Sequence, residues 1–137
     1  MAGSCRIKHC TDRPTIIVET DPGRKLVRAT MSGLLSLAEV KILGEEEQKA
    51  VRSMGLASGE FFLLVDAIGE TVQTQEVAIA FGELISNSAL KARRIAIVRS
   101  GVLASMQSRR IAAARPNHEV FGNVADAKAW LFSDPSD

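Results

Sequence analysis

The amino-acid sequence predicts an α/β domain with a mixed, mostly parallel sheet, and three observations lead to this fold class. Two β-branched segments separated by a short turn open the domain. Strand-like and helix-like segments then alternate towards the C-terminal end. The third observation is the continuous apolar run at residues 60–66, which is typical of a strand covered on both faces. The predicted order is ββαβαβαβα, in which right-handed crossovers make the later strands parallel.

An antiparallel hairpin is predicted at the start of this domain. Residues 15–20 are rich in β-branched side chains and are predicted to form the first strand. The sequence Asp21-Pro22-Gly23 follows, in which proline presets φ for a turn and glycine tolerates positive φ. The second strand is predicted over residues 25–31, and strands joined by so short a turn pair antiparallel.

Local start and stop signals predict the helices. Ser36 and Glu39 match a capping box, so the first helix is predicted from there to about Met54. Gly44 lies inside this segment, where glycine costs about 1 kcal/mol relative to alanine, and a bend or break is expected there. Thr74 is predicted to cap the second helix. The remaining elements are predicted as strands at residues 94–99 and 119–121 and helices at 102–114 and 124–132.

The core of the sheet is expected to come from apolar strand residues. These are Ile17, Val27, Phe62, Leu64, Ile95 and Ile97, or their neighbours in the strands.

Size and composition set the domain organisation. The 137 residues are 46% hydrophobic and 24% charged, which fits one globular domain. We predict a flexible N-terminal tail at 1–13, a single domain at 14–132 and a C-terminal tail at 133–137. Both cysteines, Cys5 and Cys10, lie in the first tail, which fits a reducing compartment and predicts a cytoplasmic protein.

Composition also makes several function classes improbable. The net charge is only +1, tyrosine is absent and there is one tryptophan, so nucleic acid binding is not predicted. No apolar run is long enough for a transmembrane helix, so no integral membrane association is predicted.

The order of several short segments resembles the SpoIIAA-like proteins, which are grouped with STAS domains and likened to the lipid-binding SEC14 fold. The segments are Met31-Ser32-Gly33, the strand ending at Asp66, residues 95–98, and the closing phrase at residues 120–131. The resemblance covers roughly residues 15–132 and implies a STAS-like fold.

The resemblance also implies a place to look for a phosphorylation switch. STAS members that antagonise anti-sigma factors carry an Asp-Ser-Ser-Gly-type sequence, whose serine is phosphorylated to displace the partner kinase. The matching region here, residues 66–75, has no serine, and its only hydroxyls are Thr71 and Thr74. Glu70 and Glu76 would repel a phosphate there. The alternative for Thr74 is a helix N-cap.

No metal, cofactor or catalytic site is predicted. Cys5, His9 and Cys10 are soft metal ligands, but three ligands at this spacing fit no familiar zinc motif. His118 is the one histidine in the body of the domain, so a nucleophile has no obvious base and orienting group. The chain is therefore predicted not to be an enzyme.

The charge distribution predicts a candidate partner surface. Between Lys91 and Arg115 there are seven basic residues and no acidic one. Loops at the carboxyl ends of parallel strands gather at one sheet edge, where ligands often bind. The predicted surface comprises Asp66, Arg99, Ser100, Met106, Arg109 and Arg110. It would contact an acidic partner or a phospholipid headgroup; the alternative is that Met106 fills the core and both helix arginines face water.

These observations favour a non-catalytic STAS-like regulatory or protein-interaction module that binds another protein or a second copy of itself. The alternative is a carrier or sensor of a small apolar or anionic lipid-like ligand, which requires an apolar cavity.

Overall fold

Five strands, ordered in the sheet as they occur along the chain, form the centre of the computed structural model, which describes residues 15–69, 72–114 and 117–133. The strands are β1 (Thr15–Asp21), β2 (Leu26–Ser32), β3 (Phe62–Gly69), β4 (Arg94–Val98) and β5 (His118–Phe121). The helices are α1 (Leu37–Ser53), α2 (Gln75–Asn87), α3 (Val102–Ile111) and α4 (Val124–Leu131). This arrangement confirms the predicted α/β class and element order.

The sheet is mixed, as predicted. β1 and β2 pair antiparallel, whereas β2–β3, β3–β4 and β4–β5 pair parallel. The turn between β1 and β2 is a short 3₁₀ segment, Pro22–Arg24, whose proline begins it. Lys25 follows with φ of 56°, a left-handed conformation that ends the segment.

The helix starts follow the local signals in the sequence. The amide of Glu39 donates to Ser36 Oγ over 3.3 Å, and the amide of Ser36 donates to Glu39 Oε1 over 2.7 Å, which is the predicted capping box. Thr74 Oγ1 accepts a hydrogen bond from the amide of Val77 over 3.2 Å, so Thr74 caps α2.

The helix α1 continues through Gly44, so the break expected there does not occur. Gly44 is buried, and the side chain of Leu84 occupies the space that a Cβ at this position would need. The glycine thus allows α1 and α2 to pack closely, which offsets its low helix propensity.

The core lies on both faces of the sheet. On the face covered by α1, α2 and α3, Val27, Ile95 and Ile97 are buried as predicted. On the other face, Leu64 and Val98 are fully buried against α4.

Two predicted core residues differ from expectation. Ile17 is 47% exposed, because it lies on the edge strand β1 while α4 packs on β3, β4 and β5. Phe62 is only part-buried, with its ring edge-on to Phe132 at a centroid distance of 5.4 Å.

Candidate functional site

Asp66 forms an ion pair within the sheet. Its Oδ2 atom lies 2.7 Å from Nη2 of Arg28 on the neighbouring strand. β3 continues three residues beyond Asp66 to Gly69, so Asp66 does not end the strand as predicted. Since side chains alternate between the faces of a strand, Asp66 points to the same side as the buried Leu64, towards the α4 face. The Asp66 carboxylate is therefore paired with Arg28, and this ion pair links β3 to β2.

Arg99 is buried inside the protein. It follows β4 directly, and only 3% of its surface is exposed. Its Nη1 atom donates to Oγ of Ser108 on α3 over 3.1 Å, and its backbone amide donates to the carbonyl of Phe121 over 2.9 Å. Alternation from Ile95 and Ile97 places Arg99 on the α1–α3 face, opposite to Asp66. The predicted surface is therefore divided, with Asp66 and Arg99 on different sides of the sheet.

The exposed face of α3 brings together the other predicted residues. Val102, Leu103 and Met106 are exposed to 76%, 72% and 48%, and Arg109 and Arg110 follow on the same side of the helix. In the part of the chain that the structure describes, neither arginine forms an ion pair. We call these five residues the α3 surface. Ser100 is also exposed and lies just before this helix.

The inner face of α3 fixes its position. Ala104 and Ser108 are buried, and Ser108 accepts the hydrogen bond from Arg99. Met106 lies outside this buried stripe, so it does not fill core space. Gly101 precedes the helix with φ of 91°, and no side chain caps the helix start. The buried contacts therefore hold α3 with its apolar and basic side chains outward.

Gln73 and Gln107 attach the loop before α2 to α3. The amide of Gln73 donates to Oε1 of Gln107, and Nε2 of Gln107 donates to the carbonyl of Gln73, each over 2.9 Å. The buried side chain of Gln73 also accepts from the amide of Leu35 over 2.9 Å. Beside this junction a surface groove of about 550 Å³ separates α2 from α3, with Ile79 and Arg110 among its lining residues. The groove extends the α3 surface onto α2.

The phosphorylation candidates have different outcomes. Thr74 is exposed, and its hydroxyl oxygen caps α2. Thr71 lies outside the described residues, as do Cys5, His9 and Cys10. In residues 15–69, 72–114 and 117–133, no three metal-ligating side chains form a group.

Glu47 is a half-buried carboxyl group that the sequence prediction did not include. Burial raises the pKa of its carboxyl group from 4.5 to about 8. It belongs to the run Glu45-Glu46-Glu47, which is typical of a solvated helix face. A signal was nevertheless present, because Glu47 is four residues from both Leu43 and Val51, which are buried. This spacing puts Glu47 on the inner side of α1.

The Glu47 side chain lines two adjoining cavities between the sheet and the helices, with volumes of about 60 and 30 Å³. Their walls are mainly aliphatic. Arg99 and Ser108 also line the larger cavity, and Lys91 and Ser88 line the smaller one.

None of the helices within the described ranges is long and apolar enough to cross a membrane.

Comparison with solved structures identifies the fold. The chain is similar to an uncharacterised protein of the DUF3478 family with a SpoIIAA-like fold from Shewanella loihica PV-4, with a TM-score of 0.66 and 19% identity over 86% of this chain and 93% of that one. It is also similar to an anti-sigma factor antagonist from Mycobacterium paratuberculosis, with a TM-score of 0.59 and 12% identity over 88% and 95% of the two chains. No family model and no curated protein matches the sequence. The architecture is therefore SpoIIAA-like, as the sequence resemblance implied.

Proposed function

We propose that this protein is a non-catalytic regulatory module that binds another protein through its α3 surface. The observation that carries the proposal is the cluster of exposed apolar side chains on α3, Val102, Leu103 and Met106. A contiguous exposed apolar patch, unlike apolar side chains scattered singly, often marks a protein-interaction surface. Methionine adapts readily to different partner shapes, which suits an interaction surface.

The charge of the surface indicates the chemistry of the partner. Arg109 and Arg110 extend the apolar cluster with two guanidinium groups, which bind carboxylates with paired hydrogen bonds. A partner that combines an apolar side chain with neighbouring carboxylates would match both parts. A second copy of this chain matches less well, because a symmetric pair would place the same basic surfaces against each other.

The fold is compatible with such a role. One structure with a similar fold is an anti-sigma factor antagonist. This analogy concerns the fold alone. Asp66 and Arg99, which were predicted to belong to the contact surface, have partners within the fold. Asp66 pairs with Arg28, and Arg99 donates a hydrogen bond to Ser108.

The cavities give no support to the alternative of a lipid-like ligand. Their volumes, about 60 and 30 Å³, are both smaller than the roughly 150 Å³ at which an apolar cavity holds benzene. An acyl chain needs considerably more space than either cavity offers.

Photo-crosslinking in cells tests the proposal. A photoreactive amino acid in place of Leu103 should give a discrete crosslinked protein. The matched control replaces Ile42 on α1, which is 49% exposed and lies away from α3. Adding Arg109→Glu and Arg110→Glu should abolish the Leu103 product while the circular dichroism spectrum stays unchanged.

Two results would contradict the proposal. One is the same set of products from positions 103 and 42, which would indicate non-specific collisions. The other is a product that persists in the double charge reversal. A crosslink to a second copy of the chain would replace the proposed partner by a homodimer.

A further inference from the structure

Two small cavities adjoin beneath α1 and α2, and they share much of their wall. The larger is about 60 Å³ and the smaller about 30 Å³. Five residues line both: Glu47, Leu63, Leu84, Ile85 and Ile95. Four of the five are aliphatic, so the shared region is an apolar space with one carboxyl group.

Among the residues that the structure describes, no cation forms an ion pair with the Glu47 carboxyl. Burial alone raises its pKa to about 8, and no hydrogen bond or ion pair joins the side chain to another described residue. Burying an ionisable group without a partner is costly, and such groups are frequent at binding sites.

The nearby cations have other partners. Arg99 lines the larger cavity, and its Nη1 donates to Ser108. Lys91 lines the smaller cavity, and its Nζ donates to the carbonyl of Ser86 over 2.8 Å. The wall residues from α2 and α3 include no titratable group. A cation that entered the shared space would therefore meet Glu47 as the available carboxylate.

Leu84 lies between this space and a groove at the surface. Leu84 lines both cavities and also a surface groove of about 610 Å³ between α1 and α2. Gly44 lies beneath it, so α1 presents no side chain of its own at this point. A rotation of Leu84 would connect the groove with the cavities.

We propose that the two cavities and Glu47 form a binding site for a small aliphatic primary amine. The ammonium group would pair with the Glu47 carboxylate, and the hydrocarbon part would contact Leu63, Ile85 and Ile95. Since a cavity of roughly 150 Å³ holds benzene, this site suits a body of about three or four heavy atoms.

Binding would release one proton. Below pH 8 the Glu47 carboxyl is mostly protonated, whereas a primary amine with a pKa of about 10.4 is already an ammonium ion. Formation of the ion pair breaks the O–H bond of Glu47 and transfers its proton to water. Affinity should therefore rise about tenfold for each pH unit between pH 6 and 7.

Methyl NMR with propylamine as the probe tests this site. Propylamine should shift the methyl resonances of Leu63, Leu84 and Ile95, with a dissociation constant about ten times smaller at pH 7 than at pH 6. Glu47→Gln should remove the shifts. The matched control is Glu46→Gln, which changes the exposed neighbouring carboxylate and should leave propylamine binding intact.

Three outcomes would overturn the proposal: no propylamine-dependent methyl shifts in wild type, equal shifts in Glu47→Gln, or equally strong binding of 1-propanol. The methyl spectrum without propylamine shows whether Glu47→Gln is folded. A folded Glu47→Gln that still binds propylamine would assign binding to the apolar walls alone.

Discussion

Leu84 of α2 lies over Gly44 of α1 so closely that a Cβ added at Gly44 would collide with the Cδ1 atom of Leu84. Cδ1 is the far end of the Leu84 side chain and can shift, so overpacking should cancel most of the gain in helix propensity, and Gly44→Ala should change the stability by less than about 1 kcal/mol. In the background of Leu84→Ala, the same change should become stabilising. Urea denaturation of the four proteins of this double-mutant cycle measures both effects, and an additive cycle would contradict the contact.

The covered and uncovered parts of the α4 face of the sheet should respond differently to truncation. Leu64→Ala should cost about 2–5 kcal/mol, because Leu64 is fully buried against α4. Ile17→Ala serves as the comparison and should cost less than about 1 kcal/mol, because Ile17 is 47% exposed on the edge strand. Equal losses in chemical denaturation would show that α4 does not define the buried half of this face.

Stability should fall as the pH rises from about 4.5 to 8. The pKa of Glu47 is raised to about 8 in the folded protein, so the folded state holds this proton over a range in which the unfolded chain releases it. Glu47→Gln should remove this loss. Its effect on the free energy of unfolding should be about 2–4 kcal/mol more stabilising at pH 9 than at pH 4, since each tenfold difference in proton affinity between the folded and unfolded states is about 1.4 kcal/mol.

Thermal denaturation across this pH range measures the difference between wild type and Glu47→Gln. Glu46→Gln is the control and should retain the wild-type dependence on pH. An identical slope in Glu47→Gln would show that the carboxyl is hydrated in the folded state.

The hydroxyl of Thr74 should matter for stability as the cap of α2. Thr74→Ala removes the acceptor for the amide of Val77 and should cost about 1 kcal/mol. Thr74→Asp restores an acceptor and a favourable charge at the helix start, so its stability should approach wild type. Guanidinium denaturation checks the order, and a fully stable Thr74→Ala would exclude the capping role.

The architecture could be predicted from the sequence because its signals are local. The capping box at Ser36 and Glu39 and the cap at Thr74 depend on residues three positions apart, and all were found as predicted. The apolar run of β3 was also recognisable without knowledge of its neighbours. Gly44 was harder, because its cost within α1 is local whereas its benefit comes from Leu84 on another helix.

The candidate site was predicted less completely, because it depends on which side of an element each residue takes. Met106, Arg109 and Arg110 are exposed, and their role in a contact stays a prediction. Asp66 and Arg99 were predicted to join them because each was expected to end a strand. Alternation of side chains along the strands places the two residues on opposite faces of the sheet, and β3 also continues beyond Asp66. No local pattern reveals that β3 continues through Gly69 while β4 stops at Val98.

The chain-order arrangement of the sheet also has a consequence for synthesis on the ribosome. Each strand pairs with the one made just before it, so the sheet grows outward as the chain emerges. The last helix, α4, covers Leu64, Ala96 and Val98, which belong to strands made earlier. A nascent chain that stalls before residue 124 would therefore present this apolar face to chaperones, and completion of α4 would end that exposure.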